Sequence, residues 1–136
     1  MRPRVVQDIV DPNRELREAT IEFDRTPTAY NEARLARAHL AKGDTTKAIE
    51  HYRRCTSGPY ENDPAFLKGY AVALAEAGQS TEAARVLEKL FTAHPDQKRG
   101  DAAILHAEAL SASGSPQADA AFDAMIAADG SLEARD

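Results

Sequence analysis

The chain has 136 residues, 43% hydrophobic and 29% charged, with a formal net charge of −5. That length and balance exclude a disordered polar tail and describe one ordered domain with enough apolar surface to build a core. The acidic charge argues against nucleic acid, whose recognition needs clustered lysines and arginines, and the lone Cys55 excludes an intrachain disulfide.

Asp11-Pro12 begins the first predicted helix, about 12–25. Aspartate satisfies free N–H groups at a helix start, and proline suits the first turn because its missing N–H would be unpaired there. Leu16, Ala19, Thr20 and Phe23 form its inward stripe, and Thr26-Pro27 ends it. The second helix runs from about Thr28 to Lys42, with Ala33, Leu35, Ala36, Ala38, Leu40 and Ala41 apolar, and Gly43 stops it. Thr45 or Thr46 is expected to cap a third helix over 46–57, whose stripe is Ala48, Ile49, Tyr52 and Cys55.

Asp63-Pro64 repeats the opening signal. The fourth helix, 64–77, turns Phe66, Leu67, Tyr70, Ala71 and Leu74 inward and stops at Gly78. Thr81 is expected to cap a fifth over 81–93, with Ala83, Ala84, Leu87, Leu90 and Phe91 inward and His94-Pro95-Asp96 closing it. A polar loop at 96–100 leads to a sixth, 101–113, carrying Ala103, Ile104, Ala107 and Leu110. After Gly114 a seventh, 117–128, carries Ala118, Ala121, Phe122, Met125 and Ile126, and a polar tail fills 129–136.

Gly43, Gly78 and Gly114 are 35 and then 36 residues apart, each between two alanine-rich helices. The first two share more: A-K-G-D-T-T-K-A at 41–48 and E-A-G-Q-S-T-E-A at 76–83. A two-helix period of this length indicates a helical repeat array, and such arrays present extended surfaces for other proteins.

Aligned on these glycines, the chain resembles the tetratricopeptide repeat (TPR) family over 29–128. The first repeat carries Leu35, Ala36, Ala48, Tyr52 and Cys55; the second Leu67, Tyr70, Ala71, Ala83, Leu87 and Pro95; the third, more degenerate, Ala107, Ala118, Phe122 and Met125. No repeat has the family's tryptophan, and alanine stands for its usual glycine. The resemblance implies an all-α fold, a right-handed TPR-like α-solenoid of about seven antiparallel helices. Residues 1–28 would form an N-terminal cap or half-repeat, followed by helical pairs at 29–62, 64–99 and 100–128. The join from Gly58 to Ala71 also resembles the soluble portion of bacterial membrane-anchored TPR proteins. That would make the chain an excised domain tethered to an inner membrane. The chain itself has no run near the roughly 20 apolar residues of a membrane span, and Met1–Asp8 lacks a signal core, so a cytoplasmic protein is the expectation.

The family's geometry places Tyr30, Arg34, Arg37, Lys68, Val72, Glu76 and Glu108 in a concave groove, basic at one end and acidic further on. An acidic or C-terminal peptide suits the basic end. Arg37 and Val72 replace the asparagines of the chaperone-binding carboxylate clamp, so a chaperone C-terminus is not the expected ligand. A second expectation is self-association through Phe122, Met125 and Ile126, or packing of that face on further repeats.

No enzyme, metal or cofactor is expected. No two of His39, His51, His94 and His106 stand four residues apart, each glycine is solitary, and Cys55 falls where the repeat wants a small core residue.

Overall fold

A computed structural model describes residues 11–128. Its helices are α1 (Pro12–Arg25), α2 (Ala29–Ala41), α3 (Thr45–Arg53), α4 (Pro64–Glu76), α5 (Ser80–Ala93), α6 (Gly100–Ala112) and α7 (Ala118–Ala128), with a 3-10 turn at Pro95–Gln97. No strand occurs among the described residues, so the fold is all-α. The expected segment before residue 11 and the tail at 129–136 lie outside the described residues.

Local chemistry accounts for most helix ends. Asp11 accepts from the Asn13 N–H at 3.0 Å, Thr28 from Asn31 at 3.1 Å and Asp63 from Phe66 at 2.9 Å. Gly43, Gly78 and Gly114 have φ of 86, 80 and 75°. The residue after each donates its N–H five residues back: Asp44 to His39 at 2.9 Å, Gln79 to Leu74 at 2.8 Å and Ser115 to Leu110 at 2.9 Å. This is one C-terminal motif used three times, and a left-handed glycine makes it inexpensive.

Two starts and one end differ from expectation. The cap of α3 is Asp44, whose carboxylate accepts from the Lys47 N–H at 3.2 Å, so Thr45 is already helical. The helix ends at Arg53, and Cys55 lies in the turns beyond it, still buried at 1% exposure. Helix α5 starts at Ser80 after Gln79, which makes no side-chain cap bond, and Thr81 lies inside the helix.

The chain forms two compact units that part after Tyr60. In the N-terminal unit, α2 packs on both α1 and α3. Leu35, Ala36, Ala38, Ala48, Ile49, Tyr52 and Cys55 are buried there, with Leu16 and Phe23 packed against Ala19, Leu35 and Ala38. In the C-terminal unit α4 packs on α5, α5 on α6 and α6 on α7, while α4 also touches α6. Leu74, Leu87 and Leu90 are fully buried there. Thr20 is exposed and donates to the Leu16 carbonyl at 2.7 Å. On α6, Ala102 and Ala109 face inward with Ala107 and Leu110, whereas Ile104 is 41% exposed.

Candidate functional site

Tyr30, Arg34 and Arg37 stand four and three residues apart on α2, so they share one helix face. Tyr30 is the most exposed large hydrophobic among the described residues, at 62%, and its ring lies 6.5 Å from that of Tyr60. Arg37 is exposed. Arg34 is engaged with α1: its Nε and Nη2 donate to the two carboxylate oxygens of Glu15 at 3.0 and 3.2 Å, and Nη2 is 3.9 Å from Glu18. This hydrogen-bonded pairing holds the Glu15 carboxyl below the usual carboxylate range and raises Arg34. The arginine expected to meet a ligand thus braces α1 against α2 as well.

In the C-terminal unit Lys68, Val72 and Glu76 are spaced by four along α4, again one face. Lys68 Nζ is 3.8 Å from the Asp101 carboxylate on α6, which puts opposite charges side by side. Val72 is half-buried, and Glu76 and Glu108 are exposed. Phe122 and Met125 are half-buried on α7, and Ile126 is 40% exposed.

Met125 also lines a groove of ≈ 1000 Å³ among α5, α6 and α7, together with Phe91, Ile104 and Leu110. Lys98 and Arg99 lie at the end where α6 begins. This groove was not expected from sequence. Its signal was the exposed side of Ile104, which the alanine-rich α6 concealed because its apolar residues run almost all the way round.

A second cluster sits between α2 and α3. Glu32 is the one charged residue that is buried among the described residues. Its carboxylate lies 2.9 Å from His51 Nδ1 and accepts from Arg54 Nη1 at 3.1 Å. The His51 ring stacks on His39, with centroids 5.5 Å apart and planes within 4° of parallel, and Phe23 presents an edge-to-face contact at 5.8 Å. The remaining imidazoles are structural: His106 Nε2 lies 3.1 Å from Glu88, and His94 Nε2 donates to the Asn62 carbonyl at 2.6 Å. Among the described residues no three metal-ligating side chains converge. Burial pushes the Cys55 thiol up to about 11 and the Tyr52 phenol up to about 12, which keeps both protonated at neutral pH.

Glycine-closed helix pairs, small residues where helices cross, and exposed side-chain stripes on rigid helices define a helical-repeat protein. The family described as YpiA-like, C-terminal tetratricopeptide repeats matches residues 27–97. That span covers more than half of the chain and runs from α2 through the turn after α5, so the chain belongs to this TPR family. No curated protein matches it. Repeats of this kind generally mediate protein–protein interaction. No helix among the described residues is long and apolar enough to cross a membrane.

Proposed function

We infer that the chain is a non-enzymatic scaffold that holds a peptide or helix of another protein against the exposed faces of its repeat helices. The observation that carries this reading is the Tyr30–Arg37 face of α2. Tyrosine and arginine supply much of the energy at protein interfaces, and here a 62% exposed tyrosine lies on the same helical face as an exposed arginine. Tyr60 extends the aromatic surface. Arg34, already carrying Glu15, offers a partner's carboxylate less than Arg37 does. In the C-terminal unit Lys68, Val72, Glu76 and Glu108 offer a mixed charged surface with an apolar centre, suited to a partner that alternates charge. Residues 29–62, 64–99 and 100–128 are the proposed repeats, with the helix before them as a cap.

The test replaces Tyr30 with Ala and Arg37 with Glu together. Proteins that copurify with the wild-type chain at neutral pH should be lost while the far-ultraviolet helical signal stays intact. An unchanged set of copurifying proteins would sink the reading.

A second reading is self-association through Phe122, Met125 and Ile126. It is favoured by the exposed Ile126 and by the apolar groove that Met125 borders. Light scattering over a concentration series should then show a dimer that Ile126→Asp converts to monomer; a monomer at every concentration removes it.

A further inference from the structure

We propose that the stacked His39–His51 pair, braced by Glu32, is an acid-sensitive latch between α2 and α3, and that its release loosens the Tyr30–Arg37 face. The second half of this proposal rests on the interaction reading above; the first half does not.

The two imidazoles are placed differently. His51 faces a carboxylate, Glu32, at 2.9 Å, so a proton on His51 has a buried counter-charge. His39 has none in contact. Its Nδ1 is buried and has no hydrogen-bond partner among the described residues. A neutral imidazole tolerates that position, because one ring nitrogen carries no hydrogen. An imidazolium does not: both nitrogens then bear N–H groups, and the Nδ1–H would point at no acceptor. Stacking makes this worse, since a parallel imidazole 5.5 Å away opposes a charge on His39 and offers it no acceptor in the ring plane.

The surrounding charges do not reverse the asymmetry. From α3 and its cap, Asp44 and Glu50 favour a charge on His39, while Lys47 and His51 oppose it. From α1 the neighbour of the stack is the Phe23 ring, and the α1 carboxylates Glu15 and Glu18 are turned to Arg34. Lys42, at the end of α2, is bonded to Asn13. Arg54 shares Glu32 with His51. Burial is the largest influence, and it holds His39 below the ordinary histidine range. The unfolded chain, with an ordinary histidine near pH 6.5, therefore binds that proton first. Stability of the N-terminal unit is full above that range and declines as pH falls through it. Because α2 carries both His39 and the Tyr30–Arg37 face, opening α2 from α3 disorders that face.

Amide hydrogen exchange of the whole chain at pH 7.5 and 5.5, corrected for intrinsic rates, reads the latch directly. In the wild type, protection of α2 and α3 should fall further than that of α4 and α5, by up to about tenfold, the most that one ordinary histidine kept neutral by folding contributes between these pH values. His39→Leu, which fills the slot without a titrating group, should remove the excess. An equal fall in both proteins, or none in the wild type, overturns the latch. Should His39→Leu fail to fold, an imidazole titration of the wild type decides: His39 titrating below the ordinary histidine value near 6.5 supports the latch, and at or above it refutes it.

Binding of copurifying partners separates the two halves. Loss at pH 5.5 in the wild type but not in His39→Leu supports coupling to the face. If exchange shows the latch but partner binding ignores pH, the coupling fails and the latch stands. If Tyr30→Ala with Arg37→Glu leaves binding intact, it is the interaction reading that fails.

Discussion

The two units reach stability by different chemistry. In the C-terminal unit Leu74, Leu87 and Leu90 are fully buried, and Phe66, Leu67 and Tyr70 pack beside them. In the N-terminal unit the largest fully buried side chain is Cys55, and polar links span the helix pairs: Arg34 to Glu15 across α1 and α2, and Glu32 to His51 and Arg54 across α2 and α3. Apolar burial is nearly indifferent to pH, whereas ion pairs and buried imidazoles are not. The C-terminal unit has polar links too, Lys68 to Asp101 and His106 to Glu88, but their carboxylates are exposed, whereas the N-terminal unit buries Glu32. One repeat plan thus carries a unit that leans more on apolar burial and one that leans more on charge.

The sharpest way to break this contrast is to cut the apolar core. Leu87→Ala should destabilise the C-terminal unit by about 2–5 kcal/mol, the transfer and cavity cost of a fully buried leucine. Urea unfolding followed by exchange in α4 and α5 measures it. A loss below about 1 kcal/mol would show that this unit is not held by its leucines.

A smaller change sharpens what the units share. Gly78→Ala and Gly43→Ala should each cost about 1 kcal/mol, because alanine is strained at φ of 80 and 86°. An added Cβ meets nothing within 4 Å at either site, so the cost is the backbone's alone. Equal losses in urea unfolding are expected; a loss confined to one unit would mean that the two turns are not equivalent.

The smallest effect lies in the polar unit. Glu15→Gln should cost about 0.5 kcal/mol at pH 7, since the pair with Arg34 is partly solvated. The Glu15 carboxyl is held below its ordinary range, so its contribution is present above that range and lost as pH falls through it. The gap between wild type and variant should therefore narrow as pH falls below the ordinary carboxylate range and close beneath the depressed folded value, and a gap that does not narrow assigns the effect to something other than the charge.

Helix starts and stops were largely legible in the sequence because their causes lie within a few residues. Asp11-Pro12 and Asp63-Pro64 opened helices at those positions, and the glycine ladder marked the turns. The cap of α3 was misplaced because Asp44, Thr45 and Thr46 are all capping types, and only the reach of Asp44 to Lys47 decided among them. The rotation of α6 was illegible since alanine fits either a buried or a bare surface. Arg34 and Glu15 are 19 residues apart, as are Glu32 and His51, with no local pattern to join them. Nothing near Glu32 in the sequence marks it as buried; the fold of α3 back over α2 does that. The family's pattern named α2 positions facing outward, yet it carried no information about which of those arginines another helix would already hold.

Cys55 has a practical consequence. It is the chain's single sulfhydryl, 1% exposed in the N-terminal unit, with its thiolate suppressed by burial. An alkylating reagent therefore reaches it only when that unit opens, and the C-terminal unit contributes no background. The protein carries its own single-site gauge of breathing, one that needs no introduced probe and reads the half where the polar links are.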